Sequence, residues 1–280
     1  MTDKKPSVQV VPGELAKLKL VPTEPIPEKL FVCSAKINNK VGVALRSTFE
    51  MGIGIPRDLE TLYNEHLVYT YGLGEKALFY EAGPSVEFNE ILYIFATDSL
   101  EDSRKLMYED PFHKAGIFYD DSYFEWHIHA PLWKSHLPPM PEQEIEVKVD
   151  LVTPRNLFVA FGKFNVEPMN DWVAGKAERP IYQILHLINR DGTGGVGTMG
   201  FDWASGPSAD VTRILHIFAV PSMQMAQFFN ETDALFRYGL MSDFRYFEWC
   251  IHFPFRKASP KHKDALIRLL KNAGIKMAKK

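Results

Sequence analysis

The run Tyr123-Phe124-Glu125-Trp126-His127-Ile128-His129 sets a carboxylate and two imidazoles at every second position. In an extended chain alternate side chains share a face. Tyr123, Glu125, His127 and His129 then stand together, and Phe124, Trp126, Ile128 and Ala130 point the other way. Three chemistries suit the polar face. Glu125 and His129 can be structural groups that satisfy each other's buried polar atoms. An interior carboxylate that fixes an imidazole in one tautomer makes an acid–base pair. His127 and His129, with Glu125 as a third ligand, could hold a metal ion. The run returns 123 residues further on as Tyr246-Phe247-Glu248-Trp249-Cys250-Ile251-His252. Glu248 and His252 repeat Glu125 and His129, while Cys250 replaces His127, a ligand that zinc accepts more readily than iron. Repetition favours the structural role, because a fold needs every copy of a motif and an active site needs few.

Other reactive groups carry less. Cys33 sits in an apolar strand and reads as inert packing. Residues 191–197 are glycine-rich, but no strand-to-helix phosphate fingerprint surrounds them, so they read as a hairpin loop. There is no serine nucleophile elbow, and no organic cofactor is implied.

The elements that must position these residues are themselves duplicated. Ile91-Leu92-Tyr93-Ile94-Phe95-Ala96 returns as Ile214-Leu215-His216-Ile217-Phe218-Ala219, and Gly83-Pro84-Ser85 as Gly206-Pro207-Ser208, on the same shift. In the first copy, residues 30–38 predict a strand and 57–71 a helix with one apolar face, stopped by Gly72 and Gly74. Residues 78–80 and 91–96 predict two more strands, the former ended by Gly83-Pro84. Ser99 or Asp98 caps a helix running to about Tyr108, and Asp110-Pro111 begins its exit. Residues 123–130 form the last strand. The order β-α-β-β-α-β is the ferredoxin-like split unit. The second copy places its first helix near 181–189, a helix after Ser222 and a last strand at 246–253. The proline-rich residues 1–28 read as an extended arm. Units fall at 29–134 and 156–257, joined by a linker at 135–155 with a strand near 144–149. Residues 258–280 carry an amphipathic C-terminal helix.

With the elements in place, the first copy resembles the YCII-related proteins. The residues that carry the resemblance are His66-Leu67 on the first helix, Gly83-Pro84 after the second strand, then Asp110-Pro111-Phe112 and Gly116 after the second helix. It covers roughly residues 29–131. In the second copy His186-Leu187 and Gly206-Pro207 remain counterparts, but Asp233 is followed by Ala234-Leu235. The resemblance implies an α+β fold in which two tandem ferredoxin-like units pack their antiparallel sheets as a dimeric α/β barrel, here within one chain. It also implies a pocket holding His66 and Asp110; the second copy either keeps a site, with His186, Asp233 and the repeated Glu248 and His252 as candidates, or has become scaffold. Relatives of that fold include muconolactone isomerases and dehydrochlorinases. In a split unit one sheet face meets the helices. The Phe-Trp-Ile face suits that contact, so the Glu125/His129 face is expected to line a hollow between the sheets.

The totals bound the function. The chain has 280 residues, 46% of them hydrophobic, and a formal charge of −3 without a basic face, which argues against nucleic acid. Two cysteines favour a reducing cytoplasm. The first residues lack a signal-peptide pattern, and no apolar run is long enough to span a bilayer. The 36 aromatic side chains (20 Phe, 11 Tyr, 5 Trp) would fill a large core or line a pocket. The expectation is a cytoplasmic lyase or isomerase that could pair as a homodimer. It would use His66 and Asp110 for proton transfer on a cyclic or aromatic-derived acid, with Glu125 and His129 lining the pocket. The rival expectation is a non-catalytic ligand-binding or accessory barrel.

Overall fold

A computed structural model describes residues 18–22, 25–129, 136, 145–149, 156–165, 167 and 201–277. Strand β1 (Leu18–Pro22) pairs in parallel with β6 (Ile145–Val149). The first unit is β2 (Leu30–Ile37), α1 (Asn39–Met51), α2 (Arg57–Glu75), β3 (Phe79–Pro84), β4 (Glu90–Phe95), α3 (Leu100–Glu109), α4 (Pro111–Lys114) and β5 (Phe118–Trp126). Its sheet has the antiparallel order β3-β4-β2-β5. The second unit contributes β7 (Leu157–Phe164), β8 (Phe201–Pro207), β9 (Arg213–Ala219), α5 (Met223–Thr232), α6 (Ala234–Arg237) and β10 (Met241–Trp249). Its order, β10-β7-β9-β8, is the same ferredoxin-like arrangement. Helix α7 (Pro260–Asn272) closes the described chain.

Local chemistry explains most boundaries. Ser99 caps α3 by accepting from the Asp102 N–H, and Ser222 caps α5 in the same way from Met225. Asp110 ends α3 and starts α4, accepting from the Phe112 N–H, with Pro111 at the first position, where a missing N–H costs nothing. Two expectations need correction. Helix α2 does not stop at Gly72 or Gly74 but runs to Glu75. A Cβ at Gly74 would lie 3.3 Å from Pro254 Cα, so this glycine serves close packing rather than termination. Nor does Gly83-Pro84 end β3 from outside; both residues lie within the strand.

The two sheets close on each other at both edges. Beyond β5 the chain leaves its own sheet and follows β8: His127 N–H donates to Pro207 O and His129 N–H to Ser205 O. Beyond β10 the chain follows β3 in the same way, with Cys250 N–H donating to Pro84 O and His252 N–H to Ala82 O. Trp126 Nε1–H donates to Gly206 O at 3.0 Å, and Trp249 Nε1–H to Gly83 O at 2.8 Å. Each unit therefore lends its tail to the other, and the duplicated sequence makes an intramolecular dimeric α/β barrel. The repeated glycines are explained by these crossings: a Cβ on Gly83 would lie 1.9 Å from Cys250 O, and one on Gly206 1.8 Å from His127 O.

The expected facing of the last strands is reversed. Phe124, Trp126 and Ile128 point into the barrel and join Leu30, Val32, Leu92 and Ile94 against Leu157, Val159, Leu215, Ile217, Trp249 and Ile251 of the other sheet. Among the described residues, the space between the sheets is this packed apolar core, which the buried Glu81 carboxylate joins by accepting from Trp203 Nε1–H at 3.1 Å. Tyr123 instead packs on the helix side, with Cys33 and Tyr93. Both faces of a barrel sheet are covered, so apolarity alone does not say which face meets the helices. The more apolar face goes where closure excludes water completely. Helix α7 extends the helix-side core of the first unit through Leu266, Leu269 and Leu270. Among the described residues, no helix is long and apolar enough to cross a membrane.

Candidate functional site

His66 and Asp110 come together under the helices of the first unit. Helix α2 buries His66 beside Tyr63 and Leu67, and the α3–α4 junction buries Asp110 completely. His66 Nδ1 lies 2.8 Å from Asp110 Oδ1. Asp110 also accepts from the Tyr93 hydroxyl at 3.0 Å through Oδ2 and from the Phe112 N–H at 2.8 Å through Oδ1. A carboxylate receiving donors on both oxygens can only accept from the imidazole. Nδ1 therefore carries the proton, and Nε2 is the basic nitrogen. The ring lies flat on Phe112, centroids 4.2 Å apart and planes 7° apart. Burial, then the Asp110 charge, drives the Tyr93 phenol well above its usual range, so it serves as a neutral donor.

His66 borders a cavity of about 30 Å³ whose walls include Tyr63, Tyr93, Phe112, Pro84, His252 and Phe253. His252 belongs to the second unit by sequence but reaches this cavity because the β10 tail crosses over β3. Its Nε2 is 3.0 Å from Nδ1 of His262 on α7, and both rings pack against Phe49 and Phe88 of the first unit. The candidate site is thus assembled from both halves of the duplication.

The other sequence-predicted residues lie elsewhere. Glu125 and His127 pair with each other at 3.1 Å, their side chains 36% and 44% exposed, at the surface rather than inside a hollow. His129 follows β8 of the second unit, and neither it nor Glu125 lines the cavity. Glu248 accepts from Lys261 Nζ at 3.0 Å. Asp233 is buried and caps α6 as Asp110 caps α4, accepting from Leu235 N–H. His186, the first helix expected for the second copy and the glycine-rich loop at 191–197 fall outside the described residues. Among the described residues, no three His, Cys, Asp or Glu side chains converge in a way that could hold a metal ion. Burial pushes the Cys33 thiol well above its ordinary pKa and that of Cys250 to about 12, so neither is a ready nucleophile.

Sequence reasoning missed Tyr93, His252 in this pocket, and helix α1. The α1 signal was present: Val41, Ala44, Leu45, Thr48 and Phe49 follow helical spacing after the capping Asn38.

The buried histidines make stability depend on pH. Burial first, then the neighbouring His262 and His66, lowers the His252 pKa well below an ordinary imidazole. Burial, then Lys261, lowers that of His262 from 6.5 to about 4, with Glu50 opposing. The unfolded chain therefore takes up these protons first. Stability present above pH 6.5 is lost as the pH falls toward 4, by up to about 1.4 kcal/mol per pH unit for each histidine. Urea unfolding at pH 7.5 and 5 should show this loss, and His262→Phe should reduce its slope.

No protein-family model matches the chain, and no curated protein does. Solved structures do. A presumed chlorite dismutase is 10% identical, with 86% of this chain and 99% of that one covered at a TM-score of 0.49. A heme-binding protein from Thermus thermophilus is 11% identical, covering 89% and 100% at 0.48. A dye-decolorizing protein from V. cholerae is 15% identical, covering 90% and 98% at 0.40. At these identities and TM-scores the likeness carries nothing about function.

Proposed function

We propose that the first unit holds a proton-transfer site, and that the protein is a lyase or isomerase acting on a small organic acid without an organic cofactor. The observation that carries this reading is His66 on the wall of a cavity that the other half of the chain helps to line, with the buried Asp110 behind it. Asp110 holds the ring and stabilises the imidazolium that forms when Nε2 takes a proton. The surrounding Tyr63, Phe112 and Phe118 exclude water and strengthen that electrostatic support. Abstraction beside a carbonyl, followed by return of the proton to another carbon or departure of a leaving group, is the chemistry such a pair can start. The sequence resemblance to YCII-related proteins agrees with this pairing of histidine and aspartate.

One observation favours a second reading, a barrel without catalysis in which the pair is structural. The cavity's roughly 30 Å³ admits one or two waters, whereas a benzene-sized ring occupies a cavity of about 150 Å³. A cyclic acid, and equally a small keto acid, thus requires the wall to give way. The two readings separate with His66→Ala. Carbon-bound proton exchange in D2O would be followed by NMR for a panel of small keto acids and unsaturated lactones. The catalytic reading expects exchange by the wild type, its loss in the variant and a Tm within a few degrees. An unfolded variant, or exchange unchanged by the substitution, supports the structural reading.

A further inference from the structure

We propose that His252, supplied by the second half, is the second working group of the first unit's cavity: a neutral imidazole held by His262 so that its Nδ1–H donates to the carbonyl oxygen of a small enolisable substrate. This rests on the proton-transfer reading and specifies its substrate class.

The two rings meet with His252 Nε2 at 3.0 Å from His262 Nδ1. One proton lies between these nitrogens, so two neutral arrangements exist. If His252 Nε2–H donates, His262 keeps its proton on Nε2. That atom is buried without a hydrogen-bond partner, which leaves an orphaned N–H. If His262 Nδ1–H donates, the buried unpartnered atom is only a lone pair, and the unpaired N–H passes to His252 Nδ1, which is not among the fully buried unpartnered atoms and whose ring lines the cavity. Buried orphan donors are the rarer defect, so His262 donates. His252 Nε2 is then the acceptor, and its proton sits on Nδ1. Both histidines border apolar rings, Phe49 and Phe88, where an imidazolium is disfavoured. The charged and titratable groups around the pair are His66 from α2, Glu50 from α1 and Lys261 from α7.

A neutral imidazole is a suitable electrophile because its N–H is matched to an enolate without surrendering its proton. His66 Nε2 takes the proton from the carbon beside the carbonyl. The C–H electron pair forms the new C=C bond, and the carbonyl π pair moves onto oxygen, where the His252 Nδ1–H hydrogen-bonds it. Collapse of the enolate returns the proton to a different carbon or expels a β-substituent with its electron pair. The two groups come from opposite halves of the duplication, so one ferredoxin-like unit alone would lack the donor.

Two measurements on the full chain decide this. Imidazole ¹⁵N NMR should show His252 neutral and protonated at Nδ1 from pH 5.5 to 8. An Nε2–H tautomer, or a titration near pH 6.5, overturns the assignment. Exchange of small keto acids in D2O should fall about 100-fold or more in His252→Phe, the range for losing one oxyanion donor. The double variant His252→Phe/His262→Phe removes both partners, so its Tm should stay near that of the wild type while its exchange stays low. A double variant that folds and exchanges at the wild-type rate removes His252 from the reaction but leaves the His66 reading standing. A wild type that exchanges none of the panel overturns both.

Discussion

Gly83→Ala is expected to cost at least about 3 kcal/mol of folding stability. The added Cβ would meet Cys250 O at 1.9 Å and the Cys250 carbon and His252 nitrogen at 2.9 Å. All three are backbone atoms of the crossing tail, so no flexible side chain can give way. The tail must move, and with it go the Cys250–Pro84 and His252–Ala82 hydrogen bonds and the Trp249 indole bond to Gly83. His252 would leave the cavity wall at the same time. Gly206→Ala should behave alike at the reciprocal crossing, where His127 O would lie 1.8 Å away. Gly72→Ala is the control. Nothing lies within 4 Å of its Cβ position, and in a helix interior the change should stabilise by about 0.5–1 kcal/mol. Urea unfolding of the three variants checks the set; a Gly83→Ala protein as stable as the wild type would refute the crossing.

Asp110→Ala should be nearly as damaging, at about 3–5 kcal/mol. Three donors converge on this carboxylate: His66 Nδ1–H, Tyr93 O–H and Phe112 N–H. Truncation leaves all three buried without an acceptor and removes the cap of α4. Asp110→Asn keeps the shape and one acceptor oxygen, and the Tyr93 hydroxyl can turn to accept from the new amide. It should therefore cost only about 1–2 kcal/mol while abolishing any activity that needs a negative charge behind His66. Chemical denaturation of the two variants, set beside proton exchange, separates the structural role of the carboxylate from its electrostatic one. Equal destabilisation by both would show that the charge itself, and not the acceptor geometry, holds the site.

Much of the architecture was legible in the sequence. The duplicated runs predicted two like units, and alternation along residues 123–129 correctly grouped side chains by face. Alternation does not say which face turns inward, however. In this barrel one face meets helices and the other meets a second sheet, so apolar residues on a face fit either side. Glu125 and His127 stand on the face turned away from the core between the sheets, and remain partly exposed there. The pairing of His66 with Asp110 was legible through a family pattern, although Tyr93, their third partner, was not. His252 was visible as a repeated histidine but was grouped with its own copy. Sequence order cannot report that a strand tail crosses to the other unit; the backbone hydrogen bonds and the Gly83 and Gly206 contacts reveal it.

The reciprocal exchange of tails has a consequence for assembly. Among the described residues, the hydrogen bonds that close the barrel are made between halves, and none of them depends on the halves belonging to the same molecule. A second chain could offer the same β10 tail to β3 and receive a β5 tail in return, giving an entwined pair with identical hydrogen bonds. What favours closure within one chain is the connecting segment, which presents each half to the other at an effective concentration in the millimolar range for a short tether. Self-closure is therefore a property of covalent proximity rather than of surface recognition, and severing the connection would leave two fragments that each still carry the other's missing edge.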